Sequence, residues 1–228
     1  MLSDLKRTVC KANKDLAKHG VVKFTWGNVS GFDISTGLFV IKPSGVPYED
    51  LQPELMVVMS LEGQKVEGRL NPSSDAETHR AMYMAWPMIV GGVVHTHSTF
   101  ATSFAQAGQP IQALGTTHAD TFFGDVPITR AMTTEEISGS YELETGNLIV
   151  STINDPEKEH AVLVREHGPF AWGKNAAEAL MNAVILEEVA KMAFLTQSLS
   201  PSATQMNKEL MEKHFMRKHG PGAYYGQK

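Results

Sequence analysis

Gly91-Gly92-Val93-Val94-His95-Thr96-His97 places two β-branched valines directly before two histidines spaced i, i+2. A strand turns alternate side chains to one face, so an extended backbone here points both imidazoles the same way. Neutral imidazoles sharing a face suit a divalent transition metal, zinc above all. A His-x-His by itself is more often one histidine packed in a core with its neighbour in water. A third histidine bears on the choice. His167 follows a second apolar run, Ala161-Val162-Leu163-Val164, and leads into Gly168-Pro169. Three His ligands with coordination positions left open describe a catalytic metal site rather than a closed structural one.

Working outward, Ser73-Ser74-Asp75-Ala76-Glu77 opens a helix predicted to run to Pro87. Ser74 and Glu77 stand at capping-box spacing, and the acids suit the positive helix end. On the other side, residues 98–107 predict a helix closed by Gly108. The polar stretch 111–120 is expected to border the metal. Leu2, Leu5, Val9, Ala12 and Leu16 recur at helical spacing up to His19-Gly20. Strands are predicted over 21–26, 38–41, 56–60 and 147–151, with residues 27–31 and Glu62-Gly63 as turns. Thr133 or Thr134 starts a short helix, and residues 154–158 form a surface turn. Asn175 caps a long buried helix to about residue 199, and a last helix over about 205–218 breaks at Gly220-Pro221-Gly222. No repeat, low-complexity tract or linker marks a boundary, so residues 1–228 read as one α/β domain.

The 228 residues suffice for one sizeable core, and 42% apolar with 20% charged residues is ordinary for a globular protein. A net charge of −5 with no Lys/Arg stripe argues against nucleic acid as a partner. Cys10 is the single cysteine, which excludes an intrachain disulfide and fits a reducing compartment. The first residues carry charge where a signal peptide needs apolar ones, and no run reaches the ~20 apolar residues of a membrane span. These features predict a cytoplasmic protein.

Other candidate residues surround the histidines. Asp75, in the first turn of its helix, is explained by the helix dipole alone or as a metal ligand or base. Ser73 and Ser74 offer hydroxyls beside unpaired helix amides, a ready anion site. Asn28, Lys42, Ser44 and Gly45 lie on two further glycine-containing turns. Together these turns present amides, hydroxyls and one ammonium, as a phosphate requires. Neither GxxxxGK[ST] nor GxGxxG occurs, so no nucleotide P-loop or nicotinamide site is visible. Cys10 has no activating partner in the sequence, which makes a cysteine nucleophile an unattractive reading. The tail, His214-Phe215-Met216-Arg217-Lys218-His219 and then Tyr224-Tyr225-Gly226, looks like a docking flap.

Several of these stretches form recognisable motifs: Thr25-Trp26-Gly27-Asn28-Val29-Ser30, Ile41-Lys42-Pro43-Ser44-Gly45-Val46 and Pro72-Ser73-Ser74-Asp75. To them add His95-Thr96-His97-Ser98, Gly115-Thr116-Thr117-His118-Ala119-Asp120, the run from His167 to Lys174, and Tyr224-Tyr225-Gly226-Gln227. Across its whole length the chain resembles the L-ribulose-5-phosphate 4-epimerases of the class II aldolase and adducin family. The resemblance implies a three-layer α/β/α domain around a mainly antiparallel sheet, assembled as a homotetramer. It implies one Zn²⁺ per subunit, replaceable by another divalent metal, on His95, His97 and His167, with Asp75 beside or on the metal. Asp120 and Tyr225 match the acid/base pair, the tyrosine reaching in from a neighbouring subunit. The tail, about 205–228, then completes that neighbour's site, with His214 and Arg217 beside it. Gly27, Asn28, Lys42, Ser44, Gly45, Ser73 and Ser74 match the turns that hold the substrate, a small phosphorylated ketopentose.

The implied reaction has a physical logic. C4 of L-ribulose 5-phosphate bears no acidic C–H, because the C2 carbonyl is too distant. Breaking C3–C4 instead gives an enediolate whose charge a Lewis acid stabilises, and re-addition to the other face of the aldehyde yields D-xylulose 5-phosphate. Each face needs a proton-transfer group. L-Arabinose, L-ascorbate and L-xylulose routes all converge on this step. Two rivals share parts of the pattern. A class II aldolase releasing dihydroxyacetone phosphate uses the same metal site but usually carries Glu where Asp75 stands, and an adducin-like assembly domain needs no three histidines.

Overall fold

The computed structural model describes residues 2–224, and Tyr225 lies outside them. Among these residues seven strands form one sheet, ordered β4-β3-β2-β1-β5-β7-β6. The strands are β1 (Asn28–Asp33), β2 (Leu38–Ile41), β3 (Val57–Ser60), β4 (Lys65–Glu67), β5 (Gly92–His95), β6 (Ala161–Val164) and β7 (Gly168–Gly173). Every neighbouring pair is antiparallel. Alternation along the strands then separates two cores. Val40, Val58, Val94 and Ala171 join α1 (Ser3–Lys18), α3 (Thr99–Ala107) and α7 (Ala176–Leu199) on one face. Phe39, Ile41, Val57, Val93 and Phe170 meet α2 (Ala76–Ala85) and α6 (Tyr141–Thr152) on the other. This is the expected three-layer arrangement around an antiparallel sheet. Three further α-helices are α4 (Thr116–Ala119), α5 (Thr134–Ser138) and α8 (Lys208–His219).

The first helix, the strand over 38–41, the long helix capped by Asn175 and the short helix begun at Thr133 stand where the sequence places them. Other elements differ. Residues 21–26 are not a strand: Trp26 N–H donates to the Lys23 carbonyl, Phe24 adopts φ 51°, and Phe24 and Trp26 are exposed. The strand lies over residues 28–33 instead, mostly where a turn is expected. Its small residues serve packing, since a Cβ on Gly31 would stand 2.9 Å from both Leu5 and Val9 of the overlying α1.

Residues 147–151 belong to helix α6, not to a strand. Thr145, Gly146, Leu148 and Ile149 share its buried face, and a Cβ on Gly146 would stand 2.6 Å from that of Ala81 on α2. The β-prone Leu-Ile-Val run is overridden by this close helix pair. Asp75, not Ser74, occupies the N-cap of α2, and no side chain caps it. Glu77 turns to Arg80 instead.

Candidate metal centre and active site

The sheet delivers the histidines. His95 ends β5 opposite Asn28 of β1 and Phe170 of β7, so these three residues share one row and one face. His97 follows two residues beyond. His167 sits in the tight β6–β7 turn, where Glu166 takes φ 64° and donates its N–H to the Ala105 carbonyl. The three ring ligand atoms all lie within 4.8 Å of one another. His95 Nε2 is 3.0 Å from His97 Nε2, while two ligands of a tetrahedral zinc stand about 3.3–3.4 Å apart. His95 Nδ1 faces the Pro169 carbonyl at 3.0 Å, which places its proton there and leaves the Nε2 lone pair for a cation. Burial, reinforced by His95 and His97, pushes His167 down to about 3, and burial lowers His97 as well. Neutral imidazoles with converging lone pairs are the donor set a divalent metal needs.

Asp75 stands beside this trio rather than within its tightest grouping. Its carboxylate accepts from Asn28 Nδ2 at 2.6 Å and more weakly from the Ser73 hydroxyl at 3.4 Å. Burial works to raise its pKa, but the imidazoles around it and the Asn28 amide outweigh that and hold it below the usual carboxylate range. Asn28 Nδ2 also donates to Ser73 Oγ, while its buried Oδ1 has no partner.

All these groups line one cleft of about 590 Å³. The turns carrying Gly27, Lys42, Ser44, Gly45, Ser73 and Ser74 line the same cleft. Two backbone bonds, Ser44 N–H to Asn71 and Ser73 N–H to Lys42, lock two of those turns together. Lys42 is buried, over the Tyr48 ring at 5.1 Å, and burial pushes its ammonium down to about 8. The Tyr48 hydroxyl lies 2.8 Å from the Trp26 and Gly27 carbonyls and so ties the 23–27 loop to the same turns.

Asp120 is elsewhere. Neither the 111–120 stretch nor α8 contributes a lining residue to the cleft, contrary to the expectation that this stretch borders the metal. Asp120 instead ends α4 and holds down α8. Arg217 donates to both its oxygens at 3.0 Å, and His214 Nδ1 and Lys218 Nζ lie 3.0 and 3.4 Å away. Burial opposes, but the hydrogen bonds from Arg217 and His214 and the nearby Lys218 keep its carboxyl below the usual range. So Asp120, His214 and Arg217 are brought together, away from the cleft of their own chain.

Tyr141 and Glu142 also line the cleft, a position the sequence does not announce. They begin α6, whose C-terminal half reads as strand, and Thr78 of α2 donates to the Glu142 carbonyl at 2.6 Å to set them there. The Tyr141 hydroxyl lies 3.4 Å from His167 Nδ1.

Residues 7–194 match the family described as Class II Aldolase and Adducin N-terminal domain. The chain is 56% identical, over 100% of both sequences, to the L-ribulose-5-phosphate 4-epimerase UlaF of Salmonella paratyphi B and to that of Salmonella typhi. Among solved structures it is similar to an L-fuculose 1-phosphate aldolase, with TM-score 0.79 and 27% identity over 94% of this chain and 95% of that one. The fold is also that of YgbL from Klebsiella pneumoniae, a putative aldolase/epimerase/decarboxylase, with TM-score 0.75 and 22% identity over 93% and 99%.

Proposed function

The chain belongs to the class II aldolase and adducin family, and from that footing we propose that it converts L-ribulose 5-phosphate into D-xylulose 5-phosphate by inverting C4. The observation that carries this reading is a single cleft lined both by three converging imidazoles and by a buried lysine among hydroxyl-bearing turns. The imidazoles suit a metal and the turns a phosphate. A divalent cation on His95, His97 and His167, zinc by ligand type and one per subunit, supplies Lewis acidity for the charge left when C3–C4 opens.

The protein's own groups do the rest. Lys42, with the Ser44, Gly45, Ser73 and Ser74 turns, grips the phosphate. The aldehyde fragment therefore stays bound while its carbonyl turns over. Asn28 fixes Asp75 beside the metal ligands. Proton transfer on the two faces falls to Asp120 and Tyr225. The Asp120 cluster lies outside its own chain's cleft, which supports delivery of Asp120, His214, Arg217 and the tail, about 205–228, to the site of a second copy. A homotetramer of single-domain subunits meets that need. No helix among the described residues is long and apolar enough to cross a membrane, and we place the enzyme in the cytoplasm.

The test is an assay of the zinc-replete enzyme on L-ribulose 5-phosphate, following D-xylulose 5-phosphate and free aldehyde together. Epimer without free aldehyde is expected. Free aldehyde without epimer would make the protein an aldolase and move the proton-transfer role to Asp75. Zinc bound without turnover would leave the metal centre and overturn the substrate.

A further inference from the structure

His97 lies outside β5, on a three-residue link between His95 and the first residue of α3, Thr99. The strand side of this link is fixed. His95 pairs with both neighbouring strands, and Thr96 N–H donates to the Pro169 carbonyl at 3.3 Å. The helix side needs its own anchor, because the first amides of a helix have no partner within it. Ser98 holds the capping position but makes no capping bond, and its hydroxyl is buried without a partner.

Glu187 takes over that task from the middle of α7, 86 residues beyond Ala101. One of its oxygens accepts from Phe100 N–H at 2.8 Å and the other from Ala101 N–H at 2.9 Å. These are the second and third amides of α3, the pair a capping side chain ordinarily serves, and the carboxylate also meets the positive end of the helix dipole. Phe100 packs on Phe194 of the same α7 at 5.8 Å between ring centroids, so α7 grips the start of α3 twice. Glu187 itself does not line the cleft.

We infer that Glu187 is a positioning residue for the metal centre: by capping α3 from α7 it holds His97 at biting distance from His95. His97 is the ligand in need of such support, being the exposed member of the trio while His95 is buried in the sheet. The inference rests on the reading of the three imidazoles as a metal site.

Glu187→Ala removes the cap, and Glu187→Gln keeps its shape but offers one carbonyl oxygen in place of two carboxylate oxygens. The full-length proteins are stripped of metal and titrated with zinc against a chromophoric chelator, and separately loaded with Co²⁺ for its ligand-field spectrum. Zinc affinity is expected to fall about tenfold in the Gln variant and toward a hundredfold in the Ala variant, the range seen when support behind metal ligands is lost. The cobalt bands should shift in the same order while far-ultraviolet circular dichroism is retained. Wild-type affinity and unshifted bands in the variants would overturn the inference and leave Glu187 a helix cap alone. Should the Ala variant not fold, the Gln variant decides between the same two results. A wild-type chain that captures no zinc would overturn the metal site itself.

Discussion

His79 offers a stability test whose size can be worked out in advance. The side chain lies on α2 with no exposed surface. Its Nδ1 meets the Ser30 hydroxyl at 2.7 Å, and that hydroxyl lies 2.6 Å from the Tyr83 hydroxyl; the Nε2 has no partner. Burial pushes its pKa down to about 3, against the pull of Asp75. In the unfolded chain the same imidazole titrates near ~6.5. The unfolded state therefore takes up a proton that the native state refuses. Stability from this group is full above about pH 6.5 and drains as the pH falls toward the native value. At pH 5 the unfolded chain gains about 2 kcal/mol from protonation and the native chain almost nothing, whereas at pH 7 the gain is about 0.2 kcal/mol. That difference holds for any native pKa well below 5. His79→Gln keeps a hydrogen-bonding side chain but cannot titrate. Urea unfolding of chelator-treated protein, followed by fluorescence of the buried Trp172, gives the stability of both proteins at each pH. Between pH 7 and 5 the wild type should lose about 2 kcal/mol more than the variant. Equal losses would show that the imidazole is not held neutral and would refute the reasoning.

Three further outcomes follow from the cleft. Since burial pushes Lys42 down to about 8, its charge fades above that pH; KM for the sugar phosphate should rise between pH 7 and 9, and Lys42→Met should raise KM at pH 7 and flatten the rise. Tyr225→Phe should lower kcat by ~10²–10⁴ with zinc content unchanged, and normal turnover would remove the role assigned to that hydroxyl. Gly27 has φ 96°, and a Cβ there would stand 2.7 Å from the His95 carbonyl. Gly27→Ala should cost about 1–3 kcal/mol and reduce zinc occupancy, measured by thermal melting and metal analysis; no change in either would show that the loop relaxes freely.

How much of this the sequence discloses depends on the distance over which each feature is decided. The three histidines, the helix over Ala176–Leu199 and the strand over Leu38–Ile41 are written in local spacing and survive folding unchanged. Gly31 and Gly146 mislead, because both look like turn or breaker residues while each makes room for a helix packed directly above. The stretch 21–26 has strand composition, yet its aromatic residues face water, Trp26 at the cleft, beyond the reach of a periodicity argument. The motif residues Asn28, Lys42, Ser73 and Asp75 converge as expected. Tyr141 and Glu142 reach the cleft only through the packing of α6 on α2, and Glu187 meets its helix across 86 residues. Asp120 shows the limit most plainly, since its neighbours in sequence do not reveal that it bonds to α8 rather than facing the histidines.

The row formed by Asn28, His95 and Phe170 ties the metal centre to the order in which the chain is made. Slipping β5 by one residue would turn His95 to the opposite face, so the trio can assemble only on a correctly paired sheet. The last histidine needed is His167, and the strand that braces His95 from the far side follows it. A nascent chain emerging from the ribosome thus offers only two of the three imidazoles, on an unbraced strand, until His167 has been synthesised. A metal held by all three imidazoles would therefore report that β5 has found its register.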